Sequence, residues 1–178
     1  MDAQTLRAQA FKALHERDGA FVIPNPWDVG SAKLLARLGF EALAPPSAGY
    51  AFSQGRPDGG LTLDDTLANV RAIVAATDLP VAVDLENGFA DDPAECAQSI
   101  LRAAAAGAVG GSIEDATGRE AAPIYCFEHA VARIEAAVAA IEWPAGTNPH
   151  HDLAAGDIPL MDGNRSKSAQ RQPVRSET

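Results

Sequence analysis

The sequence predicts a parallel α/β fold, and three features carry that reading. Short apolar runs alternate with segments of helical period between residues 20 and 141. Glycine or proline punctuates nearly every transition. Each apolar run ends in polar or acidic residues, as expected where strands of a parallel sheet hand over to helices.

Residues 4–17 read as a helix with Leu6, Ala10 and Leu14 on one side. Phe21-Val22-Ile23-Pro24 is the first strand and runs into Asn25-Pro26-Trp27-Asp28. Asp28 suits a helix N-cap; Ala32, Leu34, Leu35 and Leu38 form the apolar side of the helix that follows, and Gly39 stops it. Ala42-Leu43-Ala44 is the second strand, ending in Pro45-Pro46-Ser47-Ala48-Gly49-Tyr50 and a polar loop to Gly60. Residues 63–77 form a helix with Leu67, Val70, Ile73 and Val74 inward. Pro80-Val81-Ala82-Val83 is the third strand and ends at Asp84-Leu85-Glu86-Asn87-Gly88. Asp92-Pro93 opens a helix bearing Cys96, Ile100, Leu101 and Ala104, which stops at Gly107. Val109-Gly110-Gly111-Ser112-Ile113 is the fourth strand, ending at Glu114-Asp115. A last helix covers 127–141, with Phe127, Val131, Ile134, Val138 and Ile141 inward.

Four such units imply right-handed βαβ crossovers and a sheet buried on both faces. An open doubly wound sheet and part of an eight-stranded barrel share this pattern. Residues 1–141 form the expected domain. Residues 142–178, poor in apolar side chains toward the end, read as an irregular, disordered tail.

Composition narrows the function. The 178 residues are 47% hydrophobic with a formal charge of -10, which disfavours nucleic acid and anionic membranes as partners. Cys96 and Cys126 show neither disulfide framework nor metal-type spacing. No signal peptide or membrane span is expected, so a reducing, cytoplasmic location is the default. Glycine-rich phosphate loops and the Gly-x-Ser-x-Gly nucleophile motif are missing from the sequence.

The acidic strand ends hold the chemistry. Asp84 and Glu86 follow the third strand, Glu114 and Asp115 the fourth, and Asp58 lies in the loop after the second. Alternation along a strand would let Asp84 and Glu86 share a face. Oxygen donors without cysteine or histidine suit Mg2+ or Mn2+. Asp28 and Asp115 read equally well as helix caps. His15, His129, His150 and His151 fall on helices or in the tail and are read as surface or loop groups.

The run from Phe21 to Ala32 resembles the first strand and helix of the isocitrate lyase/phosphoenolpyruvate mutase superfamily. Ser47-Ala48-Gly49-Tyr50, Gly55-Arg56-Pro57-Asp58-Gly59, Val83-Asp84-Leu85-Glu86-Asn87-Gly88-Phe89 and Gly110-Gly111-Ser112-Ile113-Glu114-Asp115 continue it in order. The resemblance implies a (β/α)8 TIM-type barrel, here incomplete, with about four parallel βα units after an N-terminal helix. It implies Mg2+ or Mn2+ and a lyase, mutase or hydrolase of C–C or P–C bonds in small 2-oxo or enolate-forming carboxylic acids, often as a homo-oligomer. Asp84 would be the direct metal ligand, and Asp58, Glu86 and Glu114 would hold waters around the ion. Asp58 and Glu114 would also be catalytic. Ser47, Ala48, Gly49, Tyr50 and Asn25 would bind the substrate.

The sequence departs from the family pattern twice. The Lys-Lys/Arg-Cys-Gly-His loop of true isocitrate lyases is replaced by Ala116-Thr117-Gly118-Arg119-Glu120-Ala121-Ala122-Pro123-Ile124-Tyr125, with Cys126 displaced. That disfavours isocitrate lyase activity and favours the mutase or hydrolase side. Nothing resembles the family's fifth strand with its substrate arginine. The second break is read as a truncation or frameshift, which sets an inactive fragment retaining only the metal half of the site as the alternative expectation.

Overall fold

The computed structural model describes residues 1–141. The expected tail at 142–178, the place of a fifth strand and the His150-His151 pair lie outside the described residues.

Four of the six helices among the described residues begin where a local side chain satisfies free amides. Helix α1, Ala3–Glu16, is capped by Asp2, which accepts from the Thr5 amide. Helix α2, Val29–Arg37, starts at Asp28, where Asp28 and Ser31 cap each other's backbone reciprocally. One helix is absent from the sequence reading: α3, Ser47–Ser53, forms in what reads as loop. It is too short to show a period, and it follows Pro45-Pro46, whose restricted φ suits a helix entry. Helix α4, Leu63–Ala76, repeats the reciprocal cap through Thr62 and Asp65. Helix α5, Pro93–Ala105, is capped by Asp92, which accepts from Ala94 and Glu95. Helix α6 is Phe127–Ala140. Each side-chain cap contributes about 1 kcal/mol. Among the described residues, no helix is long and apolar enough to cross a membrane.

The sheet is smaller than expected. Four strands are predicted, and the described residues contain two: β1, Ala82–Asp84, and β2, Gly110–Ser112, paired in parallel with Asp84 opposite Ser112. The second expected strand contributes an isolated parallel bridge between Leu43 and Val81. The first is an extended segment that takes one hydrogen bond, from the Ala44 amide to the Pro24 carbonyl. Prolines explain the loss: Pro24, Pro26, Pro45 and Pro46 have no N–H to donate, so no ladder extends through them.

Alternation sorts these segments into two faces. Leu43, Val81 and Val83 point outward and pack with Ala32 of α2, Leu67, Val70 and Ile73 of α4, and Ile100 of α5. Ala42, Ala44 and Ala82 point the other way and meet Phe11 and Leu14 of α1. Gly110 completes that face, and a Cβ there would lie 2.7 Å from the Phe11 ring. Phe11 therefore fills the lower part of a face lined by small residues, and Asp84 occupies its upper end.

Several helix faces differ from the periodic reading. Leu34 and Leu38 of α2 are exposed rather than inward, since Ala32 alone of that helix is fully covered. Phe127 and Ile141 are exposed too, and the buried side of α6 is Arg133 and Ala137.

Gly49 marks where α3 meets the rest of the fold. A Cβ there would lie 2.3 Å from the Trp27 indole, which itself packs edge-on against Phe52. Gly49→Ala should therefore lower stability by about 1–3 kcal/mol through overpacking. Urea denaturation measures this, and an unchanged midpoint would contradict the packing.

Candidate functional site

Asp84 closes β1 with its carboxylate held by backbone and hydroxyl donors. One oxygen, Oδ2, accepts from the Ser47 amide at 2.9 Å and from the Ser47 hydroxyl at 2.7 Å. The other, Oδ1, accepts from the Glu86 amide at 2.9 Å. The chain then leaves the sheet in a tight turn, with Glu86 at φ +48, Gly88 at +74 and Phe89 at +56. Asp84 and Glu86 are thus brought together by a turn, whereas alternation along a strand is the sequence expectation. Gly88 is required twice over, by its positive φ and because a Cβ would lie 2.5 Å from Cys96 Sγ. The Glu114 amide donates to the Glu86 carbonyl at 2.7 Å and fastens the end of β2 to this turn.

Four carboxylates converge electrically. Burial pushes the Glu86 carboxyl up to about 7, with further upward pressure from the negative charges of Asp84, Asp58 and Glu114. Glu114 is also raised, first by partial burial of its carboxyl and then by Asp84, Asp58 and Asp115. Glu86 Oε1 is buried and has no hydrogen-bond partner. Among the described residues, no three His, Cys, Asp or Glu side chains stand close enough to hold an ion directly. The set suits a hard cation held by one or two carboxylates and otherwise by water, as Mg2+ prefers. A divalent charge would relieve the mutual repulsion and give the orphaned oxygen of Glu86 something to face through water.

The other expected site residues fall around Asp84 in different ways. Both donors of Ser47 serve Asp84. Ala48 and Gly49 lie in the first turn of α3, where amides have no carbonyl partner within the helix, and the cap residue Pro46 supplies no side-chain bond. Tyr50 is half-buried on the same helix. Asn25 is exposed, and its side-chain amide donates to the Ala44 carbonyl at 2.6 Å, which ties two extended segments together. Asp58 is exposed in its loop, its carboxylate accepting from the Gly59 amide. Asp28 is held below the usual carboxylate range by hydrogen bonds from Ser31, as a helix cap should be. Asp115 caps no helix; its carbonyl accepts from the Tyr125 amide, and α6 starts at Cys126 without a side-chain cap.

Sequence reasoning missed two neighbours of this rim. Asp91 accepts from the Tyr125 hydroxyl and from Arg119, so it joins the loop after β1 to the loop after β2. Arg133 of α6 is almost completely buried behind the same loops. A helical pattern built from apolar residues passes over such an arginine. The usable signal was its place one turn before Ala137, on the helix face with the small side chains.

The family profile described as phosphoenolpyruvate phosphomutase matches residues 11–145. The 2-methylisocitrate lyase of Salmonella typhimurium is 35% identical over 155 residues, covering 83% of this chain and 51% of that one. A Burkholderia cenocepacia protein, provisionally described as a lyase/mutase, has a crystal structure that matches with TM-score 0.78 and 57% identity, over 80% of this chain and 53% of that one. Oxaloacetate acetylhydrolase in complex with its product oxalate matches with TM-score 0.70 and 27% identity, over 76% of this chain and 49% of that one. The chain spans about half the length of the curated relatives it matches.

The raised carboxyls set a pH dependence. Between its ordinary 4.5 and about 7, Glu86 keeps its proton in the folded chain and loses it in the unfolded one. The folded state binds more protons there, so stability falls as pH rises through that window. The metal-free protein should melt at a lower temperature at pH ~7.5 than at pH ~5. Glu86→Gln should flatten the fall; equal slopes in the two proteins would contradict the assignment.

Proposed function

The chain belongs to the phosphoenolpyruvate phosphomutase family, and from that premise we propose that it acts, with Mg2+ or Mn2+, on small 2-oxo or enolate-forming carboxylic acids. The reaction class is cleavage, formation or rearrangement of a C–C or P–C bond beside the carbonyl or enolate carbon. The observation that supports this most is the acidic rim itself: an oriented Asp84 carboxylate, the repulsion that raises Glu86 and Glu114, and the orphaned Glu86 Oε1. The names of the relatives point the same way, since methylisocitrate lyase and oxaloacetate acetylhydrolase both name small carboxylic acids.

In this reading Asp84 holds the ion directly, and Asp58, Glu86 and Glu114 hold it through water. Bound there, the ion supplies Lewis acidity for the negative charge that grows on an enolate oxygen. The chain's own residues do the rest. The first-turn amides of Ala48 and Gly49 receive the substrate carboxylate, joined by the Ser47 hydroxyl if it turns from Asp84, with Tyr50 and Asn25 at the border of the pocket. Asp58 and Glu114, at the open side of the rim, are the groups placed to take or return a proton.

We infer further that residues 1–141 are the first four strand–helix units of a (β/α)8 barrel. Supporting this, the four extended segments lie side by side in chain order: Ala44 bonds to Pro24, Leu43 and Ala82 bond across the next gap, and β1 pairs with β2. A doubly wound sheet would instead reverse its order at a switch point.

The test is a substrate panel of oxaloacetate, methylisocitrate and phosphonopyruvate, assayed for pyruvate, oxalate or phosphate with and without Mg2+. Turnover of at least one acid is expected, lost with chelator and lowered at least ~100-fold in Asp84→Asn. Turnover that survives chelation would overturn the metal reading. No turnover by a chain that still binds Mn2+ would favour the inactive alternative, in which only the metal half of the site remains.

A further inference from the structure

Arg133 is the largest fully buried side chain among the described residues, at 1% exposure. It makes no ion pair among them. Its guanidinium lies 4.2 Å over the Tyr125 ring. One terminal nitrogen, Nη1, donates to the Glu114 carbonyl at 3.2 Å. The other, Nη2, donates to the Asn87 carbonyl and to the Ala90 carbonyl, the latter at 3.1 Å. Nε has no partner. Burying a guanidinium without a paired carboxylate is costly, and here carbonyl dipoles, one aromatic face and the more distant charge of Asp91 offset it. A side chain that served packing alone would do better as leucine or methionine.

The three carbonyls share a place. Asn87 and Ala90 belong to the turn that follows Asp84 and Glu86, and Glu114 lies just past the end of the neighbouring strand. The left-handed residues Glu86, Gly88 and Phe89 turn the chain out of the sheet. Among the described residues, no backbone amide donates to the carbonyls of Asn87 or Ala90. Arg133 supplies those donors and reaches across to Glu114 with the same rigid fork.

We infer that Arg133 is a positioning residue, which locks the turn after β1 to the end of β2 so that Glu86 and Glu114 face Asp84 at a fixed separation. It touches no carboxylate of the rim and acts through the backbone that carries them. The link to metal rests on the proposed function; the link between the two loops does not.

Two measurements on Arg133→Gln and Arg133→Lys test this separately. The first is amide hydrogen exchange in the metal-free protein. In Arg133→Gln the Glu114 amide, bonded to Glu86, and the Gly88 amide, bonded to Leu85, should exchange at least ~10-fold faster. The amide of Ile73 in α4 should keep its wild-type rate. Unchanged rates at Glu114 and Gly88, or a uniform rise everywhere, would overturn the inference. The second is Mn2+ titration followed by electron paramagnetic resonance. Affinity should fall about 10- to 100-fold in Arg133→Gln, the range for groups that orient metal ligands. Arg133→Lys should fall between, because an ammonium lacks the fork that spans both loops. Equal affinity in Arg133→Gln and wild type would overturn the inference. If Arg133→Gln does not fold, the lysine variant is read against wild type in the same two assays. Wild-type protein that binds no Mn2+ would refute the metal reading, and the exchange rates then decide the positioning role alone.

Discussion

The Asp84 carboxylate accepts from the amide and hydroxyl of Ser47 and from the amide of Glu86, and the geometry of the rim follows from those three bonds. They join the start of α3, the end of β1 and the turn beyond it. A carboxylate at the end of a buried strand is tolerable only when so many donors meet it. Because Ser47 follows two prolines and opens α3, its position is restrained on both sides. Trp27 against Gly49 carries that stiffness back to the segment before α2. The carboxylate oxygens are therefore oriented before any ligand arrives.

The same arrangement stores electrostatic tension. Asp58, Asp84, Glu86 and Glu114 come from three separate loops, and each raises or is raised by another. A fold selected for stability alone would disperse them. Here the backbone instead spends its unusual conformations on keeping them close, with Glu86 and Phe89 in the left-handed region. The reciprocal support comes from behind, where Arg133 holds the carbonyls that this turn leaves without backbone donors. Negative charge on the rim and a buried positive charge beneath it are two sides of one design. That combination distinguishes the rim from solvated acidic loops.

Much of this was legible in the sequence, for local reasons. The starts of α2, α4 and α5 follow from Asp28 with Ser31, Thr62 with Asp65, and Asp92 before Pro93, because caps act within one turn. The acidic strand ends were visible because apolar runs stop abruptly at Asp84 and Glu114. The family was legible too, since its motifs recur in order along the chain. What escaped depends on contacts distant in sequence. The first two strands look adequate as apolar runs, yet their prolines cannot donate to a ladder. Helix α3 has too few residues to show a period. Strand alternation predicts Glu86 beside Asp84, whereas a left-handed turn places it there. Arg133 escaped because hydrophobic periodicity treats every charge as a surface residue, and only the finished fold reveals three unpaired carbonyls waiting for it.

We propose that these carboxylates are arranged for one divalent ion centred on Asp84. Anomalous diffraction from crystals soaked in Mn2+ tests it most directly. A single strong peak about 2.1 Å from an Asp84 oxygen is expected, with water between it and Asp58, Glu86 and Glu114. A peak elsewhere, or none at Asp84 at saturating Mn2+, would contradict it.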